Sequence, residues 1–303
     1  MKAAPLGAVF TSMGHRKAVL LMFLVTLLWS SAGVITRHLE QARSFELTFW
    51  RSAFNALALV LVLGWQRGAE LPRQLRQASA PVWISGLFWA VMYTAFMVAL
   101  TLTTVANVLV TMALGPLLTA LFSRLFLRQR LGVRSWVAIV IGSIGVAGMF
   151  VSQLGSAAGE GGGAGTHLLG LLVAFAVPLA TAGNYTLLQG RASSDMPLAV
   201  LIGALLSAAA ALPLAWPLQA GAHDLALLGL LGVMQLAVPC LLLVRVSREL
   251  PAHEVALIGL MEVVFGVLWA WLGAGEEPST AALVGGALVI GALVVKELAP
   301  AGE

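Results

Sequence analysis

Hydrophobic positions along this chain gather into ten blocks, roughly 18–36, 46–65, 81–100, 104–123, 135–152, 167–187, 198–219, 224–244, 254–273 and 279–296. Each is near the ~20 residues that a helix needs to cross ~30 Å of hydrocarbon. Inside lipid a backbone must satisfy its own polar groups, so blocks of this length predict helices rather than strands. The gaps carry a second pattern, because Lys and Arg collect in alternate ones. Lys2, Arg16 and Lys17 precede block one, Arg67, Arg73 and Arg76 follow block two, and Arg124, Arg128, Arg130 and Arg134 follow block four. Arg191, then Arg245 and Arg248, then Lys296 complete a set of 14 on one side, against Arg37 and Arg43 on the other, with Arg51 inside block two. The positive-inside rule then puts both termini in the cytoplasm of a multi-pass protein of the inner (plasma) membrane.

Composition excludes the soluble alternative. The chain is 60% hydrophobic and 10% charged, where soluble domains carry about 25% charged residues. The basic pI of 9.8 reflects the loop bias facing anionic headgroups and does not point to nucleic acid. The single cysteine, Cys240, lies in an apolar block and reads as a buried thiol. Block one is too long for a signal-peptide core, so residues 1–17 are expected to be a cytoplasmic lead and 297–303 a cytoplasmic tail.

The longest gap, 153–166, reads QLGSAAGEGGGAGT, a Gly-rich linker. It separates five blocks in 18–152 from five in 167–296. Five is odd, so the second half enters the membrane from the opposite side, which predicts an all-α 5+5 inverted-topology repeat. Shifting the first half by 146 residues lays Ala106 on Ala252, Pro116 on Glu262 and Gly145 on Gly291 without a gap. Blocks five and ten are rich in small residues, including the pairs Ala138/Gly142 and Ala287/Gly291, a pattern for close helix packing within one copy or between copies. Pro116, Pro178, Pro213 and Pro239 fall inside blocks, and Gly115-Pro116 is the candidate hinge.

Ionisable groups at bilayer depth are costly and therefore candidates for function. Glu262, near the middle of block nine, is the one deep carboxylate. It has three readings: a proton-coupling group, a binder of a cationic or amino group, or a structural partner of Arg51 or of a kinked helix. Arg51 is expected to be a structural charge, pairing with Glu46 or bonding to backbone carbonyls. Tyr93, Asn107, Thr111, Tyr185 and Gln235 are the further polar candidates, with Asn184 next to Tyr185. Trp50, Trp65, Trp83, Trp136 and Trp216 sit near block ends, as interfacial anchors do. Trp29, Trp89, Trp269 and Trp271 are deeper, and Trp29, Trp89 and Tyr93 are candidates to line an aromatic cavity. There is no Walker loop, HExxH motif, Cys/His cluster or deep Ser–His–Asp set. No cofactor or metal is expected, and the chain does not read as an enzyme.

In order and spacing the chain resembles the EamA-type drug/metabolite transporter superfamily over 18–296. Leu28-Trp29-Ser30, Glu46-Leu47-Thr48-Phe49-Trp50-Arg51, Ala106-Asn107-Val108-Leu109 leading to Gly115-Pro116, Leu260-Met261-Glu262-Val263 and Gly285-Gly286-Ala287-Leu288-Val289-Ile290-Gly291 carry the likeness. Val263 stands where the family usually has Pro, and Gln129-Arg130 where an acid is common after block four, while Glu276-Glu277 is retained in the second half. Within the superfamily the chain is most similar to the YddG-type exporters of aromatic amino acids. The resemblance implies a secondary transporter working by alternating access, exporting small metabolites, aromatic or neutral amino acids foremost. Trp29, Tyr93, Asn107 and Thr111 would line its cavity with Tyr185, Gln235 and Glu262, and protons are a candidate coupling ion. A broad drug or cation exporter and an uncoupled channel-like facilitator are the rival functions.

Overall fold

The computed structural model describes residues 14–36, 38–42, 44–102, 105–150, 164–190, 195–274 and 279–297. Most of the expected lead and Gly-rich linker, nearly all of the tail, and Arg37, Arg43, Arg191, Glu276 and Glu277 lie outside the described residues. Leucine and valine coat the helices on both their packed and their open faces. Leu20, Leu61, Leu125, Leu172 and Leu272 are more than half exposed, while Met22, Leu59, Leu188 and Leu201 are fully buried. Helices apolar all round belong in lipid. Eight are long and apolar enough to cross a membrane, and two shorter apolar helices, Val133–Met149 and Thr280–Val295, accompany them. No strand occurs among the described residues.

The helices are α1 (His15–Ser30), α2 (Ala32–Thr36), α3 (Ser44–Arg67), α4 (Leu71–Arg76), α5 (Ala80–Leu102), α6 (Val105–Met112), α7 (Gly115–Phe126) and α8 (Val133–Phe150). The second half holds α9 (Ala164–Gly190), α10 (Met196–Ala215), α11 (Ala222–Leu230), a π-helical turn (Leu231–Ala237), α12 (Val238–Val246), α13 (Ala252–Gly259), α14 (Met261–Ala274) and α15 (Thr280–Glu297).

Several apolar blocks are therefore interrupted, each for a local reason. Block four breaks into α6 and α7 because Pro116 has no N–H for the carbonyl of Met112 and its ring crowds that turn. Ala113 and Leu114 form the turn, and Pro116 enters the first turn of α7, where a missing N–H costs nothing. Gly115-Pro116 thus restarts a helix rather than bending a continuous one. Block nine breaks at the matching place, at Leu260 between α13 and α14, with no proline. There the ladder tightens instead: Leu260 N bonds to Leu257 O, and Val263 N to Leu260 O, three residues back. Block eight keeps its direction but widens into the π turn. Pro239 has no N–H to give the carbonyl of Gln235, and Val238 N bonds five residues back, to Val233 O.

Two helix crossings, each joining one half to the other, are built alike. A Cβ placed on Gly232 would lie 2.5 Å from Phe54 Cβ and 2.8 Å from Arg51 O, so the π turn and α3 touch backbone to backbone. A Cβ on Gly86 would lie 2.9 Å from Ile202 Cβ and 3.3 Å from Ala199 O, where α5 meets α10. The two glycines are 146 residues apart, and their partners Arg51/Ala199 and Phe54/Ile202 are 148 apart. α8 and α15 cross at Gly145 and Gly285, where a Cβ on Gly145 would be 2.8 Å from Gly285 O, so these two small residues of blocks five and ten pack on each other within one chain. Polar glue reinforces the contacts: Ser207 Oγ bonds Ser52 Oγ at 3.0 Å and Thr94 Oγ1 at 2.9 Å, and Ser85 Oγ donates to Asn184 Oδ1 at 2.7 Å.

Candidate functional site

Several of the polar residues singled out from the sequence converge around Arg51, Tyr93 and Cys240, on α3, α5 and α12. Arg51 lies on α3, and its guanidinium Nη2 donates to the Tyr93 carbonyl at 3.4 Å. The Tyr93 hydroxyl donates to Cys240 Sγ at 3.2 Å, and the Tyr93 ring stacks at a tilt on Trp89, with centroids 5.6 Å apart. Gln235 Nε2 reaches across to the Trp29 carbonyl at 3.4 Å, next to the end of α1. Glu262, in the first turn of α14, lies within electrostatic reach of Arg51, Tyr185 and Cys240. The N-terminus of a half-helix carries partial positive charge, so this position favours the carboxylate.

The expected partnerships of the charges resolve differently. Arg51 does not pair with Glu46: Glu46 Oε1 accepts from Gln219 N at 2.8 Å, Ala220 N at 2.7 Å and Trp50 Nε1 at 3.3 Å, and its Oε2 has no partner. Its alternative expectation, a bond to a backbone carbonyl, is what forms. Nor do Arg51 and Glu262 make a direct ion pair; neither has a charged partner within bonding range among the described residues. Arg51 Nε and Gln235 Oε1 are buried without a partner, and Asn55 lies beside the Tyr93 hydroxyl. Buried polar groups in hydrocarbon are normally satisfied, and of the open ones Arg51 Nε is the one that belongs to a charged donor.

Trp29, Tyr93, Tyr185 and Gln235 are 9%, 4%, 4% and 7% exposed, narrow contacts with accessible space. Trp89 is fully buried and so supports Tyr93 from behind instead of lining a cavity. Trp271, read as deep, is about half exposed on the outside of α14. Trp269 belongs near the site, with its Nε1 donating to Ser30 Oγ at 3.0 Å and tying α14 to the end of α1. Thr111 lies half-buried on α6, which packs on α8 and α9, and the Asn107 side chain lies outside the described residues. Asn55 and Cys240 are the site neighbours that sequence reasoning passed over. Asn55 is one helical turn from Arg51 on the same face, the one signal that pointed to it.

The surroundings of the cluster are uneven. Along α13, Ala252 and Glu254–Ile258 are all buried, whereas Glu262–Val267 of α14 are all half-buried. The side chains are thus more deeply packed along α13 than along α14.

The sequence profile of the EamA-like transporter family matches residues 16–151 and 168–296. No curated protein matches the chain. A solved crystal structure, described only as that of a protein, superposes with a TM-score of 0.75 over 93% of this chain and 97% of its own, at 22% identity, a likeness of fold alone. The profile covers both halves with only the Gly-rich segment between them, and the chain accordingly belongs to the EamA-like transporter family of the drug/metabolite transporter superfamily.

Proposed function

We propose that this protein is a secondary transporter that exports small metabolites, neutral and aromatic amino acids foremost, across the inner membrane by alternating access. The observation that carries this is the cluster itself: Glu262, Arg51 and a set of aromatic and amide groups gathered around Tyr93 and Cys240. A substrate with an aromatic or apolar body and a polar head matches that mixture of Trp29, Tyr93 and Tyr185 with Gln235 and Glu262.

The ten-helix inverted repeat is part of the same reading. Two features support it: the paired glycine crossings at Gly86 and Gly232, and breaks in blocks four and nine at positions related by the same shift. Interrupted helices at the junction of two inverted repeats are the usual construction of a midplane substrate site. With the basic loops in the cytoplasm, α13 lies in the cytoplasmic half. Gly115 and Pro116, at the start of α7, are the hinge of this scheme.

Reconstitution tests it: purified protein in proteoliposomes is offered labelled amino acids with and without a pH gradient. Saturable movement of aromatic or neutral amino acids is expected, and dependence on the gradient would assign protons as the coupling ion. Movement of cationic drugs but of no amino acid would replace this reading with that of a cation exporter, which Glu262 at the head of a half-helix favours. Saturable movement indifferent to the gradient would make the protein a facilitator.

A further inference from the structure

We infer that the substrate enters the site as a zwitterion, with Arg51 holding its carboxylate and Glu262 its ammonium group; this rests on the amino-acid reading above and assigns Arg51 a specificity role rather than a structural one. The argument starts from bonding capacity. Arg51 is 6% exposed and Asn55 fully buried, both in the apolar interior of the bundle. The guanidinium spends one Nη2 contact, at 3.4 Å, on the Tyr93 carbonyl, and its Nε has no partner. A buried guanidinium without a carboxylate is costly. Glu46, five residues away on the same helix, does not supply one: its Oε1 takes the loop at 219–220, and its Oε2 has no partner.

The open positions divide by chemistry. At Arg51 the open donor is its Nε, which suits a carboxylate; the side edge of an Arg fork takes one in a directed geometry. At Glu262 the capacity is acceptor: its carboxylate makes no ion pair among the described residues. That suits an ammonium group. Arg51 and Glu262 lie near enough to sense each other's charge but are not in contact. A molecule carrying both charges on neighbouring atoms supplies each with the partner the protein withholds. A simple cation would leave Arg51 unpaired, and a simple anion would leave Glu262 so.

The test is competition against labelled L-phenylalanine in proteoliposomes of the intact protein. The competitors are unlabelled phenylalanine, its methyl ester and phenethylamine, which lack the carboxylate, and N-acetylphenylalanine, which lacks the ammonium. Wild-type protein should bind all three analogues at least about tenfold more weakly than phenylalanine, as expected when a hydrogen bond to a charged group is lost. Arg51→Met should weaken phenylalanine but not the ester, bringing that pair to parity, and Glu262→Gln should do the same for phenylalanine and its N-acetyl form. Ester and free acid competing equally in the wild type would overturn the inference, as would Arg51→Met keeping the wild-type preference. Should Arg51→Met not fold, the wild-type analogue series alone decides. If phenylalanine is transported and only the preferences are missing, this inference fails alone; if no amino acid moves, the amino-acid reading fails and carries it along.

Discussion

Glu46 and Asp224 each grip the loop that leads into the other's helix. Asp224, in the first turn of α11, accepts from Glu40 N at 2.9 Å and from Gln41 N and Ala42 N at 2.8 Å, just ahead of α3. Glu46, in the first turn of α3, accepts from Gln219 N and Ala220 N, just ahead of α11. Both carboxylates are 1% exposed. Backbone N–H groups ahead of a helix are donors in want of acceptors, and a buried carboxylate satisfies several of them at once. The clamp locks α3 to α11 on the side opposite the basic loops.

Asp224→Asn should therefore lower the thermal unfolding temperature, because an amide oxygen serves fewer N–H groups and its NH₂ meets a donor. Each bond lost to a charged acceptor is worth about 1.5–3 kcal/mol. Glu46→Gln should behave alike. Because each residue orients the helix that carries the other, the double variant should lose less than the two singles combined, with a coupling of about 0.5–3 kcal/mol. Thermal denaturation in detergent reads all four proteins, and strictly additive losses would show two independent caps.

The glycine crossings give a second, sharper contrast. Gly232→Ala places a methyl 2.5 Å from Phe54 Cβ and 2.8 Å from a backbone oxygen, and neither can retreat without separating two helices. Gly86→Ala meets Ile202 and the Ala199 carbonyl in the same manner. Overpacking of this kind costs about 1–3 kcal/mol. Gly291→Ala and Gly64→Ala face open space and should change stability by no more than about 1 kcal/mol, in the stabilising direction that helix propensity sets. Equal unfolding temperatures for Gly232→Ala and Gly291→Ala would show that the crossing is loose.

These cases also show what a linear reading recovers. Positions of the apolar blocks, the Pro116 break and the packing of blocks five and ten follow from local chemistry: run length, a missing N–H, small side chains. Partnerships do not follow so directly. Glu46 lies five residues from Arg51, yet its bonds go to residues 173 and 174 positions away, because helix rotation decides which neighbour a side chain meets. The same rotation buries Trp89 and turns Trp271 outward, although both lie inside apolar blocks. The break at Leu260 has no sequence mark comparable to proline; only its alignment with Pro116 hinted at it.

The π turn yields a third expectation. Pro239→Ala restores an N–H opposite the Gln235 carbonyl, so Leu231–Ala237 can close into ordinary α-helix. Losing a proline from a helix interior removes a penalty of up to about 3 kcal/mol, and the unfolding temperature should hold or rise. Closing the turn also rotates Gln235 away from the Trp29 carbonyl. Substrate affinity should fall although the protein is no less stable. A variant with unchanged affinity would separate the π turn from the site.

Glu262→Gln distinguishes a carboxylate kept for function from one kept for the fold. Were it a structural partner of Arg51, its removal would leave a buried cation uncompensated and cost about 3–5 kcal/mol, as breaking a buried pair does. The two make no direct pair here, and a carboxylate at this depth is itself an expense, so the amide should fold at least as stably as the wild type. Transport should nonetheless fall by roughly tenfold or more, the loss expected when a hydrogen bond to a charged group is removed. Unfolding temperature and initial transport rate, measured on one preparation, give the two axes. A variant that transports normally would exclude Glu262 from the site, and one that loses stability in step with transport would return it to a structural role. Stability retained with transport lost is the outcome that a half-helix N-terminus holding an unpaired acid leads us to expect.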